Sequence, residues 1–171
     1  MINILTFFDF DGTLIHSPLP DNGKIEWANY YNKPYPHLGW WGRSESLDLN
    51  VFNVIPNHII YQEYLKFKKL NNSFNVILTS RIPKLKQYLA DILYHNDIYM
   101  DDILCADGAL TKGERIVKEY QRFINDGHDI KEIYVWEDRN KEIITIEPFR
   151  KYFEDNGVSL IIYKVQSEAL D

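Results

Sequence analysis

Two aspartates, Asp9 and Asp11, stand just past an apolar run at residues 2–8. A strand buried on both faces reads as such a run, and Asp11 with Gly12 favours a sharp turn after it. The turn can bring both carboxylates into one pocket. Their mutual repulsion calls for a cation, and an all-oxygen site suits magnesium. Asp138 follows a later strand at 132–136 and reads as a third oxygen ligand. The expected metal site is Asp9, the Asp11 backbone carbonyl and Asp138, completed by water and phosphate. Magnesium there would neutralise a phosphate and stabilise charge in its transfer. Asp9 can then attack phosphorus and form an aspartyl-phosphate. Asp11 can protonate the leaving oxygen and later activate water. Thr79, with Ser80 beside it, offers donors to a phosphate oxygen. Lys112 combines an ammonium with a helix N-terminus, a natural anion site.

The elements that must position these residues are legible in outline. Residues 2–8, 74–78, 101–106, 132–136 and 158–163 read as strands. Between them, residues 57–70 carry Ile59, Ile60, Tyr64, Phe67 and Leu70 at helical spacing, and Lys66, Lys68 and Lys69 suit the end of that helix. A second helix starts near Pro83 with Leu85, Leu89, Ile92 and Leu93 on its apolar face. Thr111 and Glu114 have capping-box spacing, with Ile116, Tyr120, Phe123 and Ile124 following as a buried stripe. Residues 148–156 read as a short helix stopped by Gly157. Strands and helices in alternation predict an α/β fold: a central parallel sheet of about five strands, helices on both faces and right-handed crossovers. Ligands of such sheets bind at the carboxyl ends of the strands, where all these candidate residues fall.

Composition sets the remaining limits. The chain has 171 residues, 45% hydrophobic and 26% charged, which suits one globular domain. Residues 1–165 are read as that domain, with 166–171 as a tail. One cysteine, Cys105, excludes an intrachain disulfide and fits a reducing, cytoplasmic setting; it reads as a small buried hydrophobe. The net charge of −6 argues against extended duplex binding, although a single nucleic-acid end needs only a local basic pocket. The N-terminal apolar run lacks a basic leader, and no apolar run approaches a membrane span, so no membrane association is expected. His16, His37, His58, His95 and His128 have no metal-ligand spacing, and no role is assigned to them. Residues 15–56 hold several prolines and many aromatics without sustained helical period. They are read as an irregular, minimal lid.

Asp9-Phe10-Asp11-Gly12-Thr13-Leu14 resembles the D-x-D-G-T-L motif of the haloacid dehalogenase superfamily. Ile77-Leu78-Thr79, Lys112, and Asp138 with Glu142 resemble its second, third and fourth motifs, with Glu137 and Glu142 departing from the usual G-D-x-x-x-D. Pro18-Leu19-Pro20, Gly39-Trp40-Trp41, Leu78-Thr79-Ser80-Arg81 and Trp136-Glu137-Asp138-Arg139 resemble the Swiss Army Knife RNA repair-like branch, as do residues 149–153. Ser80 stands where that branch has glycine. The resemblance implies a Rossmann-like phosphatase fold, and hints at a nucleotide or nucleic-acid-end phosphate as substrate, in the manner of a repair enzyme. It leaves open whether Glu137 or Glu142 joins the metal shell.

Other residues have two readings each. Arg81 and Arg139 can clamp a second phosphate or pair with neighbouring acids. Trp40 and Trp41 can stack a base, or fold down on the core, which is the expectation for at least one of them. Trp136 belongs to the core. The leading expectation is a magnesium-dependent phosphomonoesterase acting on a nucleotide or nucleic-acid end. The alternatives are a small-metabolite phosphatase and a binding module of the same fold without turnover.

Overall fold

The centre of the molecule is β1 (Ile4–Phe8), whose neighbours are β2 (Ser73–Leu78) on one side and β4 (Glu132–Glu137) on the other. In this computed structural model, which describes residues 1–166, β3 (Asp102–Leu104) and β5 (Ser159–Lys164) complete a five-stranded sheet in the order β3-β2-β1-β4-β5. Every pairing is parallel. The expected α/β architecture is therefore present. Of the expected tail, residues 167–171 lie outside the described residues.

The sheet buries both faces because its strands are apolar at odd and even positions alike. Leu5 and Phe7 join Val76, Leu78, Ile133 and Val135 on one face, covered by α4 (Lys112–Asn125), α5 (Asn140–Ile146) and α6 (Arg150–Asp155). Phe8 joins Ile77 and Trp136 on the other, under α2 (His58–Lys68), α3 (Lys86–His95) and the 15–56 segment. Phe8 and Trp136 stack in parallel at 4.2 Å, so Trp136 is core. α2 buries Ile60 and Tyr64, whereas Ile59 is exposed. Leu70 lies past the helix and is likewise exposed. Asn57 caps α2, its side chain accepting from the Ile59 and Ile60 N–H groups. Ile124 is also exposed, and the buried stripe of α4 ends at Phe123.

Two helices depart from the sequence reading. Within residues 15–56 lies α1 (Pro20–Tyr31), so that segment is not irregular throughout. It starts with Pro20 and Asp21 in its first turn, both favourable there. Its period was hidden because it buries only Gly23 and Trp27. Gly23 is needed for contact rather than flexibility: a Cβ there would lie 2.4 Å from the Trp40 ring. A short 3-10 turn, Ser44–Leu47, follows. The second addition is α5, which begins right after Arg139 and runs on through a 3-10 turn, Glu147–Phe149, into α6. α4 and α5 meet closely, since a Cβ on Gly113 would lie 1.9 Å from the Thr145 carbonyl oxygen. That approach seats the first turn of α4 against the sheet end.

Candidate active site

Asp9 comes first off β1, and its backbone N–H donates to the Trp136 carbonyl of β4. The chain then turns through Gly12, whose φ of 75° is left-handed and easy only for glycine. The Gly12 and Leu14 N–H groups close the loop on Ile15 and Asp9 carbonyls. Asp9 is 6% exposed. Its Oδ2 accepts from Thr13 Oγ1 at 2.9 Å and its Oδ1 from Lys112 Nζ at 2.7 Å. Burial pushes the Asp9 carboxyl up, against the opposing pull of Lys112.

Lys112 is itself 1% exposed. The capping box predicted at Thr111 and Glu114 is formed in full and fixes the helix start that carries it. Its ammonium bridges Asp9 and Glu137, reaching Glu137 Oε2 at 2.5 Å. Burial alone would lower the Lys112 pKa; the two carboxylates outweigh it and hold the ammonium charged. The same ammonium and the Arg139 N–H offset burial at Glu137 and keep its carboxyl below the usual range. Asp138 has no such cation among the described residues. Burial and its hydrogen bond with Glu137 push it up to about 8.

Asp9, Glu137 and Asp138 offer carboxylate oxygens within 4.8 Å of one another. A cluster of hard oxygen donors, one of them raised by burial and neighbouring acids, fits a divalent cation such as magnesium. Glu137, at the position where the usual motif has glycine, thus stands in the acid cluster, and Glu142 does not; it pairs with Arg139 at 3.2 Å. The Asp11 carboxylate is turned away from the cluster. Both of its oxygens accept from Arg81, Nε and Nη2, each at 2.8 Å, and Ser17 Oγ donates to Oδ1 at 2.5 Å.

A cavity of about 400 Å³ opens above these residues. Thr79 and Ser80 line it with Asp9, Asp11 and Asp138. The Arg81 N–H donates to Thr79 Oγ1 at 3.1 Å, which leaves the hydroxyl proton free for another acceptor. The Arg81 side chain, buried at 4% exposure, spends its remaining donors on the lid. Nη1 reaches the Trp41 carbonyl at 2.7 Å and Ser46 Oγ at 2.5 Å. Arg81 therefore takes its ion-pair reading here, with Asp11 as partner, and does not stand free for a substrate. Arg139 is less bound: it contacts Glu142 and Ser80 Oγ from the cavity rim.

The two tryptophans part company. Trp40 is 3% exposed, donates Nε1 to the Pro18 carbonyl at 2.9 Å and packs against Tyr35 and Phe52. It does not line the cavity, so of the two only Trp41 is placed where a base could stack. Trp41 is 40% exposed, lines the cavity with Leu19 and Ile82, and lies under the Arg81 guanidinium, 5.0 Å from the ring centre. Sequence reasoning missed His16, Ser17, Leu19 and Ile82 as lining residues. The position of His16 and Ser17 just beyond the D-x-D-G-T-L motif, after Ile15, was the available signal. Cys105 is half-buried just past β3 and does not line this cavity.

No family model matches the chain, and no curated protein is significantly similar to it. Solved structures are. A haloacid dehalogenase-like family hydrolase from Streptococcus pneumoniae superposes with TM-score 0.57 at 14% identity, covering 95% of this chain and 94% of that one. A provisionally named phosphatase from Clostridium difficile gives 0.52 at 15% identity over 98% and 97% of the two chains. A chain of the Pnkp1/Rnl/Hen1 RNA repair complex gives 0.51 at 14% identity, covering 95% of this chain and 43% of that chain. The fold is that of haloacid dehalogenase-like hydrolases.

Proposed function

We propose that the protein is a phosphomonoesterase that works through an aspartyl-phosphate on Asp9 and acts on a nucleotide or nucleic-acid-end phosphate. The observation that carries the reading is Asp9 itself. It is a buried carboxylate held on one oxygen by Lys112 and on the other by Thr13, at a cavity lined by the Thr79 and Ser80 donors. A magnesium ion held by Asp9 and Asp138, with Glu137 behind them, would supply positive charge to balance the phosphate.

An Asp9 oxygen forms a bond to phosphorus as the bond to the leaving oxygen breaks. Thr79, Ser80 and Lys112 carry the charge on the transferring group. Once out of the Arg81 fork and protonated from solvent, Asp11 gives that proton to the leaving oxygen, and it takes one back from the water that hydrolyses the acyl phosphate. Free phosphate and the Asp9 carboxylate are the products. For this role Asp11 has to rotate out of the Arg81 fork. Substrate that brings a second anion to Arg81 would exchange places with Asp11 and release it.

The test is a phosphatase screen over nucleotides, sugar phosphates and 3′- and 5′-phosphorylated oligonucleotides, with magnesium and with excess chelator. Turnover restored by magnesium and greatest on nucleotide-bearing phosphates supports the reading. Full activity in chelator, with no bound metal, argues against the acid cluster as a metal site. Best turnover on a sugar phosphate would favour a small-metabolite phosphatase, and none on any substrate the non-catalytic module.

The apolar wall of Trp41, Leu19 and Ile82 favours a base over a sugar, and stacking is worth roughly 1–3 kcal/mol per base. Trp41→Ala should therefore lower nucleotide turnover by about 5- to 100-fold while sparing a small aryl phosphate. The melting temperature should change little, since the ring is half in solvent. Equal losses on both substrates, with a large fall in melting temperature, would return Trp41 to a packing role.

A further inference from the structure

Arg115 lies one turn beyond Lys112 on the same buried side of α4. It is 6% exposed. Burial holds its guanidinium below the ordinary arginine pKa, and its Nε is buried with no partner among the described residues. A cation in that position is costly to desolvate. What it bonds is not a carboxylate but a set of carbonyls at the ends of β2 and β3. Its Nη1 donates to the Thr79 and Cys105 oxygens at 2.9 Å each and to the Leu104 oxygen at 3.3 Å.

The Thr79 carbonyl and the Ser80 N–H belong to one peptide unit. In a trans peptide these two groups point in opposite directions, and no cis bond is present among the described residues. With the carbonyl drawn back onto Arg115, the Ser80 N–H must point away from α4. It has no acceptor within the described residues, and Ser80 lines the cavity. A cation on the carbonyl also polarises the peptide and strengthens its N–H as a donor.

We propose that Arg115 is a positioning residue of the phosphate site, holding the Thr79–Ser80 peptide so that the Ser80 N–H faces a phosphate oxygen in the cavity. The inference rests on the phosphatase reading. One helix then serves both halves of the site: Lys112 fixes the nucleophile, and Arg115 fixes the phosphate loop.

The experiment follows the Ser80 amide of ¹⁵N-labelled protein by NMR during titration with inorganic phosphate and magnesium, alongside turnover of p-nitrophenyl phosphate. Wild type should show a downfield shift of the Ser80 amide. Arg115→Met should lose that shift and lose kcat/KM by on the order of 10- to 100-fold, less than the deletion of a direct donor. Arg115→Lys should restore part of both. A purely structural Arg115 would lower the melting temperature yet leave the folded protein's shift and kcat/KM unchanged, and that result overturns the proposal. Should Arg115→Met fail to fold, Arg115→Lys carries the same readout: a reduced shift and kcat/KM support the proposal, and wild-type values overturn it. Wild-type protein that neither turns over substrate nor shifts with phosphate overturns the phosphatase reading and this inference with it. An active wild type beside unaffected variants overturns only the role of Arg115.

Discussion

Asp9→Asn should remove phosphatase turnover almost entirely, on the order of 10⁴-fold or more, as losses of a catalytic nucleophile do elsewhere. The chain should remain folded. The Asn amide oxygen can still accept from Lys112, and the Thr13 hydroxyl can turn from donor to acceptor toward the new NH₂ group. Steady-state kinetics beside a thermal melt separate the two effects. A variant with wild-type turnover would place the nucleophile elsewhere, and an unfolded variant would make Asp9 a structural group first.

Lys112→Ala should harm both stability and activity. It strands Asp9 and Glu137, two carboxylates that now share one buried ammonium. Removing one partner of a buried ion pair costs about 3–5 kcal/mol, and loss of the charge that holds the Asp9 nucleophile should slow turnover by on the order of 10²-fold or more. In metal-free buffer the stability deficit should narrow as pH falls. Asp9 already sits above its ordinary pKa through burial. An acid whose folded pKa exceeds its unfolded one destabilises the fold as pH rises between the two values. Without Lys112 that gap widens, so protonation at lower pH relieves more of the loss. Melting temperatures measured for both proteins from pH 7 down to 5 check this. A deficit that is constant across that range would mean that the stranded acids find another cation.

The sheet and the strand-end residues were legible because each depends on local signals. Mostly apolar runs marked β1, β2, β4 and β5, and the Thr111–Glu114 spacing marked the start of α4. What escaped depended on partners distant in the chain. α1 has no apolar stripe of its own because Trp40 reaches across to cover Gly23. Trp40 and Trp41 are neighbours in sequence and opposite in environment, which no composition rule separates. The Arg81 fork joins residues seventy positions apart, so its choice of Asp11 over a substrate could not be read in advance. Arg115 did leave a trace, for it occupies a buried position on a helix whose stripe is otherwise mostly apolar. In isolation that trace reads as a side chain reaching for solvent.

The strand order has a consequence for how the protein tolerates change. β1 lies at the middle of the sheet with β2 and β4 on either side, and these three strands deliver Asp9, Thr79 and Asp138. β5 at one edge delivers no group to the cavity. Mutational intolerance for activity should therefore concentrate in a central column of the fold. Exposed positions of β5, such as Ser159, should drift under the looser constraint of solubility alone, giving the chain a margin along which it can vary without revisiting its chemistry.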